Sequence, residues 1–509
     1  MTKKVSNFLV QNMVVILFMI LCVLATYFSK QPLTFVVSEL FTRIARNSFI
    51  VLSLIIPVIA GMGLNFGIVI GAMAAQLAIF LTTYWGFTGI SGFLFTVVLA
   101  TPFAVFFGFL VGKLFNYMKG NEMIGGLVLG YFADGIYQLV FLFIFGGVIK
   151  MNNSTLMIPT GIGVKNTIDL KDTVKYALDT VPMLTIVELG FYLVLVILAC
   201  SVAFKLLKKQ PVDWKSMGGK AVAAVVVYAV TFIGPVERFL AADRLLLLSA
   251  VELGCLGVVL WQLYGFVKWK LQAGKGSEEA GPGTFVPVKA GVNVVLAAVV
   301  YALTYVPAIY NVLIVVKLPV MTYLCIGALC VFNNILMKTR LGQNMRTVGQ
   351  SRTVANAAGI DVDKTRIIAM IFSTVLASWG QLIFLQNVGT ISTYGAHTQV
   401  GQFAIAALLV GGASVQKATN KQALLGIVLF HTLFIVSPLA GKELFGDPVI
   451  GEYFRVFVSY GVIALALAMH AWKKAPGTKT SEGKAKKGRL KEWCDTYWEM
   501  RTAKRKGIR

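Results

Sequence analysis

The chain has 509 residues, 57% of them apolar and only 13% charged, and its mean hydropathy is +0.78. Soluble domains sit near 45–50% apolar and about 25% charged, so this composition excludes a string of soluble domains and points to lipid. Fourteen prolines and 49 glycines are too few for a disordered or collagen-like chain.

A membrane-spanning helix needs about 20 predominantly apolar residues. In chain order the apolar runs lie near 8–29, 48–64, 66–85, 90–112, 123–149, 183–204, 219–236, 244–267, 291–312, 319–337, 367–386, 399–416, 422–440 and 452–472. They predict an all-α, polytopic transmembrane bundle of about fourteen spans. The first run lacks a small-residue cleavage site and reads as an uncleaved helix. After it, Pro32–Asn47 reads as an amphipathic stretch on the outer surface. The loop 150–182, with Pro159, Gly161 and Gly163, reads as a short exterior cap, and Gln272–Gly283 as a flexible linker. The expected units are 1–47 (N-terminal helix and outer segment), 48–204 and 291–472 (the two core parts), 205–290 (an insertion with an extra pair of spans) and the basic tail 473–509.

The net charge of +24 would suit a nucleic-acid binder, but its distribution does not. The tail 473–509 holds 13 Lys/Arg against 4 Asp/Glu. With alternating spans, Lys3/Lys4, Lys113/Lys119, Lys205–Lys220, Lys268–Lys289 and Lys338–Arg366 all fall on one face. Cationic loops stay cytoplasmic, so both termini are expected there and no nucleic-acid partner is expected. Trp493, Tyr497 and Trp498 let the tail rest on anionic lipid, although a solvated tail accounts for them equally.

Residues suited to catalysis are sparse. Cys22, Cys200, Cys255, Cys325, Cys330 and Cys494 show no metal-binding spacing, and there are only three histidines, His397, His431 and His470. No phosphate-cradling glycine loop is present, and Trp214–Lys220 lacks both its spacing and its context. The chain is therefore expected to be no enzyme, with no metal and no cofactor of its own. Ionisable groups at membrane depth are functional candidates because they are costly there. Asp134 shares a helix face with Tyr131, Tyr137 and Gln138, as a polar pathway or as partners for neighbouring helices. Glu252 and His431 are the other such groups. Glycines interrupt the apolar pattern at Ala60–Gly67, either a broken helix lining a cavity or a plain turn. A polar stretch covers Gln386–Gln402.

The loop Lys338–Arg366 is the most informative segment. Ser351 is a good N-cap, Thr353–Ala358 a short helix, and Gly359 suits a left-handed stop. Asp361 caps the next span, with Lys364 and Arg366 at the headgroups. A short helix held between two spans, with small residues on its surface, is a docking knob for a cytoplasmic partner, or an ordinary loop helix.

This loop resembles the cytoplasmic coupling loop of ABC-importer permeases of the branched-chain amino acid/ribose type, through Thr339, Gly342, Arg346, Val348, Gly349, Ala355, Gly359 and Ile360. Phe372–Gly380 and Phe403–Ser414 are similar to the family's following segments. Asn121–Ala133, and Leu64–Gly67 with Gly71–Ala75, are similar to its nucleoside and simple-sugar branch. Together the matches cover roughly 48–160 and 319–472. The chain departs from that branch at Ile68–Ile70, Gly126 and Gly130, and 205–290 has no counterpart.

The resemblance implies a permease subunit of an ATP-driven importer in a bacterial-type plasma membrane. Its partners would be a second permease subunit, the same or different, an extracellular solute-binding protein, and ATPase subunits that hydrolyse the ATP. The coupling residues would be Arg346, Gly349, Arg352, Ala355, Ala358, Gly359 and Ile360. Asn65, Phe66, Tyr131, Asp134, Tyr137 and Gln386 would lie near a pathway for a nucleoside, a sugar or a similar small polar solute. A stand-alone carrier or channel explains the spans but not the loop.

Overall fold

The computed structural model describes residues 12–151, 153–159, 162–208, 214–273 and 287–457, with 460, 461 and 464. Lys3, Lys4, Gly161, most of the Gln272–Gly283 linker, His470, most of the expected span 452–472 and the whole basic tail with Cys494 lie outside the described residues.

The architecture is helical with two small strand pairs. Helix α1 (Met13–Phe28) is followed by α2 (Leu33–Ser53), which continues past Leu54 into α3 (Ile55–Ile59). Then come α4 (Ile68–Tyr84), α5 (Gly89–Tyr117) and α6 (Glu122–Leu139), which runs on past Val140 with wider π-type turns until the backbone breaks at Phe145 and Gly146. Strand β1 (Thr167–Asp169) precedes α7 (Met183–Leu207), α8 (Trp214–Val230), α9 (Gly234–Leu240) and β2 (Arg244–Leu246). Next are α10 (Leu247–Ala273), α11 (Pro287–Leu303), α12 (Pro307–Leu313), β3 (Lys317–Pro319) and α13 (Val320–Leu336). Helices α14 (Arg340–Gln350), α15 (Arg352–Ala357) and α16 (Val362–Val388), strand β4 (Thr390–Ser392), and helices α17 (Ala396–Val410) and α18 (Asn420–Phe445) complete the order.

Among the described residues, seven helices are long and apolar enough to cross a membrane, or up to nine when the bent pairs α11–α12 and α13–α14 each count as one. Several of the expected fourteen spans correspond to apolar helices shorter than that, such as α1, α4 and α17. Pro32–Asn47 does not form a separate surface stretch. Residues 33–59 make one 27-residue span, 72% buried over its apolar window. Its polar groups are satisfied by protein, since Arg43 Nε pairs with Glu39 at 2.9 Å and Arg46 Nε donates to Asn387 Oδ1 at 2.9 Å. Charge inside a span is tolerated when such partners are at hand.

Helix α16 is the central post, packed by α2, α4 and α5. Small residues permit the close approach. A Cβ on Gly108 or Gly112 of α5 would lie 2.8 or 2.9 Å from the Cα of Ile371 or Ile367, and one on Gly71 would lie 2.7 Å from the Thr374 carbonyl oxygen. Without a hydrophobic drive between helices in lipid, such contacts supply the packing energy.

The loop 150–182 is a folded cap. Strand β1 pairs antiparallel with β4, with Ile168 opposite Ile391, and Leu156, Val164, Ile168, Leu170 and Val174 are buried. Asp179 fastens the cap to the bundle by accepting from Thr322, Gln386 and Asn387. Tyr394 donates to the Val164 carbonyl at 2.8 Å, and burial raises its hydroxyl pKa, which keeps it a donor. The cap and the loop 338–366 lie at opposite ends of α16, because β4 follows its last residue and the loop precedes its first.

Candidate functional site

Two clusters of buried polar side chains joined by α6 are the candidate sites. The first lies where the loop 338–366 meets the bundle. Thr339 caps α14 by accepting from Gly342 N at 3.2 Å, Ser351 caps α15 from Val354 N at 3.3 Å, and Asp361 caps α16 from Lys364 N at 2.9 Å. Gly359, at φ +73°, takes the left-handed stop that a side chain would strain. Two short capped helices and the capped start of α16 in succession hold the loop rigid.

The residues expected to couple to an ATPase divide by position. Arg346, Ala358 and Gly359 are exposed, and a Cβ at Gly359 would meet nothing within 4 Å. Ala355 is buried with Val348 and Val362, and Ile360 packs against them. Gly349 is wedged against the turn after α3, where a Cβ would lie 2.1 Å from the Ile59 carbonyl oxygen. Arg352 points inward and pairs with Glu122.

Arg366 corrects the expectation of a headgroup cation. It is fully buried and meets Glu122 Oε1 at 2.6 Å, while also donating to the Phe115 carbonyl at 3.3 Å. The reason is its place at the start of the second turn of α16, facing the end of α5 and the start of α6. A charge buried there requires a countercharge. Glu122 supplies it, with its second oxygen accepting from Gly120 N at 3.0 Å and its carboxylate in the first turn of α6, where the helix dipole favours an anion. One carboxylate therefore joins α15, α16 and α6. A cavity of about 630 Å3 opens beside it, lined by Gly61, Gly63, Asn121, Glu122, Gly349 and Arg352 among others.

The second centre lies further along α6. Asp134 Oδ1 accepts from His397 Nε2 at 2.6 Å, and its other oxygen accepts from Gln138 Nε2 at 3.0 Å. The Tyr137 ring lies 4.7 Å from the His397 ring and stacks on Phe141 at 4.3 Å. The Tyr137 hydroxyl and His397 Nδ1 are buried without a hydrogen-bond partner.

The expected pathway residues are thus partly assembled. Asp134 and Tyr137 meet around His397. Phe66 lies beside Gly126 and Gly130 of the same helix α6, and Asn65 is fully buried with its amide 3.4 Å from Ser373 Oγ. Tyr131 points away, 61% exposed on the outside of the bundle. Gln386 is tied to Asp179 in the cap fastening instead. His397, Glu122 and Arg366 take central places that composition did not single out. The polar stretch Gln386–Gln402 was the available signal for His397, and a lone carboxylate opening an apolar run was that for Glu122.

Comparison with known proteins finds similarity to transport permeases. The family model for the branched-chain amino acid transport system permease component matches residues 216–467. The nucleoside ABC transporter permease protein NupB of Lactococcus lactis is 27% identical over 172 residues, covering 32% of this chain and 44% of that protein. The xylose transport system permease protein XylH of Haemophilus influenzae is 28% identical over 153 residues, covering 30% and 38%. The probable ABC transporter permease protein y4mJ of Sinorhizobium fredii is 31% identical over 152 residues, covering 30% and 43%. The chain thus spans less than half the length of each of these relatives. No solved structure matches it.

Proposed function

The chain is similar to ABC-transporter permeases of the branched-chain amino acid and ribose type, and from that premise we propose that it is the membrane permease subunit of an ATP-driven importer. The supporting observation is the coupling loop. Its exposed tip at Ala358 and Gly359 stands on a rigid capped helix, and Arg352 ties that helix through Glu122 to α6. A partner ATPase pressing on the tip would move α6, which carries Asp134 and Tyr137.

The solute is a nucleoside, a sugar or a similar small polar molecule delivered from outside by a binding protein, and the loop faces the cytoplasm. Buried polar groups are ordinarily paired. The Tyr137 hydroxyl can donate and His397 Nδ1 can accept, so a solute hydroxyl, which accepts from the first and donates to the second, completes both. Asn65 and Phe66 belong to the same route. Asp134→Asn removes the charge from a charge-assisted hydrogen bond worth about 1.5–3 kcal/mol. It is expected to lower solute uptake into vesicles at least about tenfold while leaving the amount of folded protein unchanged.

Co-purification of the tagged chain from its native membrane tests the reading. An ATP-binding protein is expected with the wild type and is expected to be lost with Gly359→Arg, whose side chain would occupy the open space over the tip. Retrieval of no ATPase by the wild type would overturn the importer reading.

A further inference from the structure

The segment expected to lack a family counterpart, which the family model covers from residue 216 onward, belongs to an internal repeat. Helices α8, α9 and strand β2 begin at Trp214, Gly234 and Arg244, and α11, α12 and β3 begin at Pro287, Pro307 and Lys317, each 73 residues later. At that spacing Tyr228 matches Tyr301, Thr231 matches Thr304, Leu240 matches Leu313 and Leu245 matches Leu318. Thr231 and Thr304 each donate to the carbonyl three residues back, at 2.6 Å. Strands β2 and β3 pair antiparallel with Leu245 opposite Leu318, so equivalent residues face each other across a local two-fold. The preceding helices α7 and α10 begin at Met183 and Leu247 and share Val-Glu-Leu-Gly at 187–190 and 251–254. The unit is a helical hairpin, a short helix and a strand, present twice, and α13 is a third version of its first helix.

The three first helices differ at one position in step with their surroundings. Helix α13 packs on the bundle, and Ile326 and Leu329 are 5% and 3% exposed. The equivalent Leu253 and Leu256 of α10 are 50% and 57% exposed, and Leu189 and Tyr192 of α7 are 61% and 57% exposed. The sixth residue is Cys325 in the packed helix and Glu188 and Glu252 in the two unpacked ones. At 1.5 Å per residue the sixth position lies about 8 Å inside the helix start, within the apolar layer. Neither glutamate has a hydrogen-bond or ion-pair partner among the described residues. Each is within electrostatic reach of the equivalent tyrosine of its hairpin, Tyr228 or Tyr301. Glu252 also lines a groove of about 610 Å3 between α10 and α11, with Phe239, Leu253, Leu256, Val259 and Tyr301.

The geometry points to a lateral docking surface on the two repeated hairpins for a transmembrane helix of another protein that carries Lys or Arg at the depth of Glu188 and Glu252. An unpaired carboxylate in hydrocarbon is costly, and a cation at the same depth removes the cost. A second copy of this chain does not supply one from the repeat at that depth: Arg238, Arg244 and Lys317 sit in the short helix and strands, Arg244 over Tyr176, while Lys205, Lys208, Lys268 and Lys270 fall at the far ends of α7 and α10, and Lys215, Lys220 and Lys289 in the opening turns of α8 and α11. The inference needs only the membrane placement of these helices and is independent of the transport reading.

The test uses the full chain in phosphatidylcholine vesicles, whose lipids carry no primary amine. A fluorescent synthetic helix of leucine and alanine with one lysine at outer-leaflet depth is compared with the same helix carrying leucine there. Energy transfer from the labelled chain is expected to report association about fivefold tighter for the lysine helix. Glu188→Gln/Glu252→Gln is expected to erase that preference. Equal association of both helices with the wild type, or a preference that survives the double substitution, would overturn the proposal. Labelling of Glu252 by a hydrophobic carbodiimide provides a second readout, with protection expected from the lysine helix alone. Equal labelling with both helices counts against the pairing.

Discussion

Replacing Glu122 by alanine is expected to destabilise the chain by about 3–5 kcal/mol, the cost of removing one partner from a buried ion pair. Arg366 is fully buried beside it, and its Nε and one terminal nitrogen already lack partners, so the loss of the carboxylate leaves a charge with only the Phe115 carbonyl. Arg352 would be released at the same time, because it shares the same carboxylate oxygen. A fall in the detergent melting temperature, with loss of the monodisperse species on gel filtration, checks this. Combining Glu122→Ala with Arg366→Met is expected to recover most of the stability, because a similar volume without charge fits the same space. The double variant should nonetheless remain transport-deficient if Arg352 must hold α15 to α6. Recovery of both stability and transport would show that the node serves folding alone.

Gly349→Val is the second large effect. A Cβ at Gly349 would lie 2.1 Å from the Ile59 carbonyl oxygen and 3.0 Å from Gly61 N, both backbone atoms that cannot rotate away. Gly61, at φ +74°, is itself fixed in the left-handed region and lies against Gly349 Cα. Helix α14 must therefore lift off the turn that links α3 to α4. The cost is about 3 kcal/mol, at the upper end of ordinary overpacking. Uptake by reconstituted vesicles is expected to be abolished, with α1–α6 retaining their protection from protease. Gly359→Ala provides the contrast. It meets no neighbour and carries only the strain of its positive φ, about 1–2 kcal/mol, so most transport should persist.

The loop 338–366 was legible because its determinants are local. A cap is a hydrogen bond between a side chain and a backbone N–H a few residues on, so Ser351 and Asp361 announce their helices and Gly359 its stop. Most spans were legible for a similar reason, since a continuous apolar run must be buried or face lipid wherever it lies. Pro32–Asn47 misled because polar residues at the start of a span look the same on a surface and inside a bundle. Only the placement of Asn387 opposite Arg46 decides between them.

The same limit separates the two centres. Glu122 and Arg366 are 244 residues apart and Asp134 and His397 are 263 apart, and no local pattern reports such a pairing. The repeat was written in the sequence at a fixed spacing, but its divergence hid it until equivalent helices and strands could be matched.

Composition, hydropathy and local capping thus determined by themselves that this chain is a multi-span helical membrane protein with a capped, exposed loop between two of its helices. These properties depend on each residue's own transfer free energy and on hydrogen bonds within a few positions. Tertiary structure decided which charges are buried, which helix joins the loop to Asp134, and which faces of the repeated hairpins remain uncovered. Those properties depend on which distant residues come within 3 Å of one another, and the close packing of α16 against its neighbours sets that.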